Sequence, residues 1–126
     1  MAKCPLREIA KKAIEEGLPF LVIGGYAVLA HGYVRATDDL DLIASHGQRH
    51  ARSEALLEFG MRIKNDAATF LQFDPADDTA MRVDLMFVSD AVFTKLDQAA
   101  IETEIEGLRV KVVALLHLIA LKCHAL

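Results

Sequence analysis

The segment from Phe20 to Ala44 constrains the fold of this chain more than any other part of the sequence. It begins with an apolar run, Phe20–Ile23, of the kind that forms a strand buried on both faces. Gly24 and Gly25 end that run, and a second apolar strand follows at Leu40–Ala44. Strand, glycine turn, short helical segment and strand in close succession predict a sheet organised around this segment.

Asp39 and Asp41 stand two positions apart at the start of the second predicted strand. Residues two apart on a strand point to the same side, so the two carboxylates should project together. Carboxylates this close repel each other, and an apolar setting raises the cost of their charges. A divalent cation such as Mg²⁺, which takes oxygen ligands, removes that cost. The alternative is a solvated strand edge with acidic side chains.

Asp84 is a lone acid inside an apolar strand that is predicted over Met81–Val88. Along this strand apolar side chains alternate with Arg82, Asp84 and Met86, which face the other way. The strand is far enough from Asp41 in sequence to return beside it. Because a buried aspartate without a partner is costly, a metal ion or a charged partner is expected. The alternative is a salt bridge between Asp84 and Arg82.

Two features near the acids suit a phosphate group, the glycine pair and the segment from Arg35 to Thr37. Gly24 and Gly25 allow close approach of the backbone to a ligand, and the N–H groups at a helix start attract phosphate. Arg35 and Thr37 precede the acidic pair and could reach phosphate oxygens. Each feature alone has a simpler interpretation, as an ordinary turn or a salt-bridge partner.

Apolar periodicity and turn signals predict the remaining elements. Helices are predicted over residues 5–16, 26–31, 46–59, 91–98 and 112–126, and further strands over 61–64, 69–73, 101–105 and 108–111. Ser45 and Gln48 have capping-box spacing for the third helix, and Asn65–Asp66 is predicted as a turn. This order predicts one α/β (α+β) domain over residues 1–126, with a mixed sheet and helices packed mainly on one face.

Two helices have a predicted buried side. For the third helix it consists of Ala51, Ala55, Leu56 and Phe59. For the last helix it consists of Leu115, Leu116, Ile119, Ala120 and Cys123.

Composition excludes several classes of function. The formal charge of −4 gives no basic footprint for nucleic acid over the whole chain. Cys4 and Cys123 have no CxxC spacing, which argues against a disulfide framework or a zinc site. The N-terminus lacks the apolar core of a signal peptide, and the longest apolar run is too short to span a bilayer. The prediction is a cytoplasmic protein with no membrane contact.

Taken together, the glycine pair, the acidic pair and the later acid resemble the nucleotidyltransferase superfamily, which has the fold of DNA polymerase beta. The finer spacing is similar to a small prokaryotic branch that includes abortive-infection, type IV toxin–antitoxin nucleotidyltransferases. The matching positions are Gly24, Gly25, Ala27, Arg35, Thr37, Asp39 and Asp41. The C-terminal segment is similar to the closing helix of that family, where a lysine stands at the position of Lys122.

This resemblance implies a minimal nucleotidyltransferase fold and a set of site residues. The implied catalytic and metal-binding carboxylates are Asp39, Asp41 and Asp84. The implied nucleotide contacts are Gly24, Gly25, Arg35, Thr37 and Lys122. Two Mg²⁺ ions, or Mn²⁺ in their place, are the implied cofactors.

The implied reaction transfers a nucleoside monophosphate from a nucleoside triphosphate to a hydroxyl of a protein, an RNA or a small molecule. One alternative is a catalytically weak or inactive module that forms one half of a toxin–antitoxin-type complex. The apolar terminal helix favours a partner protein or a homo-oligomer. A third alternative is a metal-dependent phosphodiesterase that uses the same three carboxylates.

Overall fold

A computed structural model describes residues 6–24, 26–27, 39–75, 81–105 and 107–125, with the side chains of the last helix described as far as residue 120. The elements in chain order are α1 (Leu6–Glu16), β1 (Leu21–Ile23), β2 (Asp39–Ser45), a 3-10 turn (His46–Gln48), α2 (Arg49–Glu58), β3 (Arg62–Ala67), β4 (Phe70–Asp74), β5 (Arg82–Val88), α3 (Asp90–Ala99), β6 (Ile101–Ile105), β7 (Leu108–Val112) and α4 (Leu115–Ala125).

The strands form one mixed sheet in the order β3-β4-β5-β2-β1-β7-β6. β2 lies at its centre, antiparallel to β1 and parallel to β5. β1 pairs with β7 in parallel, and the remaining pairs are antiparallel. The predicted mixed sheet organised around the first two strands is therefore confirmed.

One face of the sheet is apolar and is covered by helices. Leu42 of β2 and Leu85 of β5 project from this face and are 2% exposed. Ile9 and Ala13 of α1 and Leu56 of α2 pack around them and leave only a small gap. Burial of these side chains is the main source of stability on this side of the sheet.

The opposite face of the same central strands carries the acidic residues. Side chains alternate along a strand, so Asp39, Asp41 and Asp84 project away from α1 and α2. All three are half-buried. α4 reaches this face through Leu118, which lines the same cleft as Asp41 and Asp84.

Several predicted elements are confirmed within narrow limits. α1 follows the predicted first helix, and β5 alternates between buried and half-buried residues along its whole length. β6 and β7 follow the two strands predicted over 101–105 and 108–111, and they pair as an antiparallel hairpin. Of the predicted helix over 26–31, Tyr26 and Ala27 are helical and the rest lies outside the described residues.

The predicted capping box at Ser45 and Gln48 is wrong. The Ser45 hydroxyl donates to Asp90 at the start of α3 instead of capping a helix. The Gln48 side chain accepts from Arg52 and donates to the carbonyl of Gly17. Because both polar side chains bind residues elsewhere in the fold, neither caps a helix. The chain enters α2 through the 3-10 turn.

The predicted turn at Asn65–Asp66 is also wrong, because both residues belong to β3 and the turn lies at residues 68–69. Asn65 pairs with Gln72 across the hairpin, and Asp66 binds Arg49 of α2. A bulge between Ile63 and Asn65 shifts the register so that this pairing is made. Side-chain partners outside the segment decide its conformation.

The predicted buried side of the last helix is wrong at three described positions. Leu116 and Ile119 are 80% and 50% exposed, Ala120 is exposed, and Leu118 is the buried residue. The helix begins at Leu115 because Val113 is still held by β1, with its N–H donating to the carbonyl of Val22 at 3.1 Å. Within the described ranges, no helix has the length and apolar content needed to cross a membrane.

The predicted buried side of α2 is confirmed at Ala55 and Leu56 and wrong at Ala51 and Phe59. Ala51 and Phe59 are exposed, whereas Arg52 is only 6% exposed. Arg52 donates to the carbonyl oxygens of Leu18, at 3.2 Å, and Pro19, and it ties α2 to the connection between α1 and β1. Burial lowers the pKa of Arg52 to about 10, so the guanidinium remains charged at neutral pH.

We expect Arg52→Met to lower the free energy of unfolding by roughly 1–3 kcal/mol, because the carbonyl oxygens of Leu18 and Pro19 lose their donor inside the protein. Urea denaturation monitored by circular dichroism measures the change. Arg7→Met removes an exposed arginine from α1 and serves as the control. Equal stability of the two variants would contradict a structural role for Arg52.

Candidate active site

A row of polar side chains crosses the centre of the acidic face at right angles to the strands. On the parallel pair β2 and β5, Asp41 lies directly opposite Asp84. On the antiparallel neighbours, Gln72 of β4 lies opposite Asp84, and Asn65 of β3 lies opposite Gln72. We call Asn65, Gln72, Asp84 and Asp41 the polar row. On the other side of Asp41, the row meets Ile23 at the end of β1.

A second row, nearer the start of β2, is charged. Asp39 lies opposite Arg82 of β5. The Nε atom of Arg82 lies 3.4 Å from Oδ1 of Asp74, an ion-pair contact without hydrogen-bond geometry. The proposed alternative of a salt bridge between Arg82 and Asp84 is therefore not what the structure shows. Arg82 acts on Asp84 only through its charge, which opposes the rise in the pKa of that acid.

The carboxyl group of Asp84 has a perturbed pKa. Burial raises the pKa of Asp84 above its ordinary value, and the negative charge of Asp39 adds to the rise. Hydrogen bonds with Asp41 and Gln72 oppose it. Among the described residues, Oδ1 of Asp84 is buried without a hydrogen-bond partner.

The hydrogen bond between Asp41 and Asp84 has a chemical consequence. Two ionised carboxylates have only acceptor atoms, so they repel each other unless a proton or a cation lies between them. A cation between the two carboxylates would take the place of that proton. Acids arranged in this way are typical of functional sites.

Gly24 allows the backbone after β1 to lie directly against Asp41. Its φ angle is +70°, in the left-handed region that favours glycine. A Cβ atom at this position would lie 2.7 Å from both Cβ and Cγ of Asp41. No other residue fits this position without displacing the acid. The position of the Asp41 side chain therefore depends on a glycine at position 24.

An open cleft of about 360 Å³ lies over the polar row. Its volume is within the range of small-molecule sites. Its polar lining comes from Asp41, Thr69, Gln72 and Asp84. Its apolar lining comes mainly from Ile23, Phe70, Met86 and Leu118. The acids stand on one wall of a cleft large enough for part of a nucleotide or a small acceptor.

The donor set for a metal ion is incomplete in this arrangement. Over the ranges that the structure describes, no three histidine, cysteine or acidic side chains are grouped so that they could hold one ion. Asp41 and Asp84 do contact each other, and the buried Oδ1 of Asp84 is an oxygen donor without a hydrogen bond. Paired carboxylate oxygens suit Mg²⁺, so these two residues fit a divalent cation.

The structure brings part of the predicted site together. Gly24, Asp41 and Asp84 meet, and Asp39 lies on the same face in the neighbouring row. Gly25, Arg35 and Thr37 lie outside the described residues, as does the side chain of Lys122.

Gln72 and Asn65 were not among the predicted site residues. The only signal for Gln72 is that a polar residue interrupts the otherwise apolar Phe70–Phe73 segment of β4. No such signal marks Asn65, because its position depends on the bulge in β3.

Comparison with known proteins places these observations in a family. A family model described as nucleotidyl transferase of unknown function (DUF2204) matches residues 2–126. Comparison with curated proteins gave no sequence match.

Solved structures share the fold at low sequence identity. The antibiotic-resistance factor ANT(2'')-Ia superposes with a TM-score of 0.73 at 22% identity, over 90% of this chain and 65% of that one. This chain thus spans slightly less than two thirds of that protein. A putative nucleotidyltransferase from Thermotoga maritima gives 0.69 at 16% identity, over 95% of this chain and 81% of that one.

The lincosamide antibiotic adenylyltransferase LnuA, solved with lincomycin, gives a TM-score of 0.70 at 13% identity, over 91% of this chain and 82% of that one. A second structure of ANT(2'')-Ia, in complex with adenylyl-2''-tobramycin, gives 0.67 at 22% identity, over 86% and 67%. At these identities the likeness establishes the fold.

We expect Gly24→Ala to destabilise the protein more than Gly17→Ala. Both glycines have a left-handed φ angle, which costs about 1–2 kcal/mol for alanine. Only at Gly24 does the new Cβ meet other atoms, those of Asp41, and such overpacking costs roughly 1–3 kcal/mol more. Urea denaturation of both variants measures the difference, and equal losses would show that Gly24 does not pack on Asp41.

We expect Asp84→Asn to raise the free energy of unfolding at pH 7 in the presence of EDTA. Because the pKa of Asp84 is raised in the folded state, the wild type loses stability as the pH rises above the ordinary value of 3.8. Asparagine does not ionise, so the difference should shrink as the pH falls toward 3.

Urea denaturation at a series of pH values tests this expectation. Asp97→Asn removes an exposed ion pair with Lys111 and should give no gain at pH 7. A loss of stability in Asp84→Asn at pH 7 would contradict the assigned cost of the buried charge.

Proposed function

We propose that this chain, which belongs to the DUF2204 family of nucleotidyltransferases, transfers a nucleoside monophosphate from a nucleoside triphosphate to an acceptor hydroxyl. Family membership indicates the class of activity. The donor, the acceptor, the metal and the roles of individual residues are the proposal.

The observation that carries the proposal is the contact of Asp41 with both Asp84 and Gly24 on the wall of an open cleft. Two carboxylates share a hydrogen bond there, and one of them has a buried oxygen that is unpartnered among the described residues. The glycine backbone lies against the same acid. This arrangement supports a site for a divalent cation and a phosphate group side by side.

Asp39, Asp41 and Asp84 are the proposed metal-binding residues, with two Mg²⁺ ions as the cofactor and Mn²⁺ as a substitute. The bound ions would neutralise charge on the triphosphate and lower the pKa of the acceptor hydroxyl. Asp39 stands apart from the other two in the structure, in the row of Arg82. Its proposed role therefore rests on the shared face and on the family pattern.

The remaining residues have proposed roles in binding the nucleotide. Gly24 would present its backbone to the phosphates beside Asp41. The family pattern extends this role to Gly25, Arg35 and Thr37, and to Lys122 as a weaker contact. The apolar side chains Phe70 and Met86 line the same cleft and would contact an organic part of the donor or the acceptor.

The reaction is an in-line displacement at the α-phosphorus. The oxygen of the acceptor hydroxyl forms a bond to this phosphorus. The bond from the phosphorus to the oxygen that bridges to the β-phosphate breaks, and pyrophosphate leaves. Asp84 accepts the hydroxyl proton, or orients that hydroxyl for attack.

ATP is the proposed donor and a small-molecule hydroxyl is the proposed acceptor. The support comes from the structural relatives, because ANT(2'')-Ia has been solved with adenylyl-2''-tobramycin and LnuA is a lincosamide antibiotic adenylyltransferase. A protein or RNA hydroxyl is the alternative acceptor. We further propose that residues 1–126 form a single domain, since one sheet and one apolar core connect the described elements.

A binding module is the second candidate function. In this role the fold would form one half of a toxin–antitoxin-type complex, or of a homo-oligomer, with little or no catalysis. The exposure of Leu116 and Ile119 on α4 favours the binding-module hypothesis, since large exposed apolar patches mark interaction sites. The assay below separates the two candidates, because a pure binding module transfers no label.

We expect label transfer from ATP carrying a radioactive α-phosphate when the protein is incubated with Mg²⁺ or Mn²⁺ and a panel of acceptors. The panel contains tobramycin, lincomycin, total RNA and a protein extract. Asp41→Ala should abolish transfer, and Asp84→Asn should lower its rate by roughly 10²- to 10⁴-fold if this acid is the general base. Asp97→Asn, in the exposed ion pair with Lys111, should leave the rate unchanged.

Thermal denaturation provides a second measurement. ATP with Mg²⁺ should raise the melting temperature of the wild type, and Asp39→Asn should abolish the rise. If none of the four common nucleoside triphosphates changes the melting temperature or labels any acceptor, the catalytic proposal is wrong and the binding module is favoured.

A further inference from the structure

We propose that Gln72 is a positioning residue, which is oriented by Asn65 and fixes the carboxylate of Asp84 for reaction. This inference rests on the proposed function, because it assigns Asp84 to the reacting hydroxyl. It extends the site to β3 and β4, which contribute none of the residues of the family pattern.

The direction of the Gln72 amide follows from its two neighbours. Asn65 donates a hydrogen bond from its Nδ2 to Oε1 of Gln72. A side-chain amide carries its oxygen and its nitrogen on opposite sides. The nitrogen of Gln72 therefore faces the other neighbouring strand, where Asp84 accepts its hydrogen bond. The opposite orientation would place the amide oxygen against a carboxylate, acceptor against acceptor.

The register of the sheet places the three hydrogen-bonding residues side by side. Asn65, Gln72 and Asp84 are directly opposite one another on three adjacent strands. The bulge between Ile63 and Asn65 brings Asn65 into this register. Without the bulge the side chain of Asn65 would project from the other face of the sheet, since neighbouring strand positions alternate.

The consequence falls on the orientation of the Asp84 carboxyl group. Gln72 and Asp41 contact it from the two neighbouring strands, and its Oδ1 is left without a hydrogen bond among the described residues. Gln72 thus fixes the direction of the carboxyl group at the cleft that both residues line. A fixed orientation of the acid favours reaction at the acceptor hydroxyl.

Two substitutions test the hydrogen bonds from Asn65 to Gln72 and from Gln72 to Asp84. Gln72→Met keeps the length of the side chain and loses its hydrogen bonds, whereas Asn65→Leu frees the Gln72 amide to rotate. We expect Gln72→Met to lower kcat by roughly 10- to 100-fold, since a hydrogen bond to a charged group is lost. The KM for ATP should stay within about twofold, because Gln72 is not proposed to bind the nucleotide. Asn65→Leu should cause a smaller loss of kcat.

The double variant distinguishes positioning from a general structural role. If Asn65 acts only through Gln72, the loss in Asn65→Leu/Gln72→Met equals the loss in Gln72→Met alone. In an Asp84→Asn background, Gln72→Met should have no further effect. Lys95→Met, at an exposed position of α3 outside the polar row, is the control and should retain wild-type kcat. These rates use ATP and the best acceptor of the panel above.

A measurement without metal or substrate tests the hydrogen bonds themselves. In a ¹⁵N-labelled sample containing EDTA, the side-chain amide resonance of Gln72 is identified by its disappearance in Gln72→Met. We expect slow hydrogen exchange at this amide in the wild type. We expect faster exchange, and a shift toward the position of exposed glutamines, in both Asn65→Leu and Asp84→Leu.

The outcomes separate this inference from the proposed function. If the wild type is active but the two losses multiply in the double variant, or the Gln72 resonance is unchanged in Asn65→Leu, the inference is wrong and the proposed function stands. If the wild type transfers no nucleotide to any acceptor, the proposed function fails and the assigned role of Gln72 in the reaction fails with it.

Discussion

The parallel pairing of β2 with β5 is the constraint on which the site depends. It places Asp41 directly opposite Asp84, on the face of the sheet that α1 and α2 do not cover. Two carboxylates at neighbouring positions of a sheet repel each other unless a proton or a cation lies between them. The apolar side chains on the other face hold the strands together despite that repulsion. The core thus stabilises an arrangement that the acids alone would disfavour.

The acidic face changes character in steps along the direction of β2. The first row pairs Asp39 with Arg82, and the polar row follows two residues further along. The next row is apolar, with Ile43 opposite Met86. The cleft is lined by the polar row and, through Met86, by the apolar row. A ligand in it would contact hydrogen-bonding groups and apolar side chains side by side.

The least favourable feature of this arrangement is the burial of the Asp84 carboxyl group. Burial raises the pKa of Asp84, and the hydrogen bonds with its neighbours only partly offset this rise. Burial of an unpartnered oxygen in a folded protein is unfavourable, and sites that tolerate it are commonly those that bind a ligand or perform chemistry. Gly24 belongs to the same arrangement, because its left-handed backbone leaves the space that Asp41 occupies.

Elements whose signals are local could be read from the amino-acid sequence. The alternation of β5, the hairpin of β6 and β7, the acidic pair and the glycine turn could all be predicted, since each depends on a few adjacent residues. The resemblance to nucleotidyltransferases rests on the same positions. Local signals failed where side chains found distant partners. Ser45 binds Asp90, and Arg52 is buried against the chain before β1.

The residues that complete the site follow from the pairing of strands in the folded sheet. The register between β4 and β5 brings Gln72 to Asp84, and the bulge in β3 brings Asn65 to Gln72. Neither pairing could be predicted from the spacing of residues in the sequence. Strand register is set by the whole sheet and not by either strand. The sequence identified the acids, and the sheet decided which neutral side chains hold them.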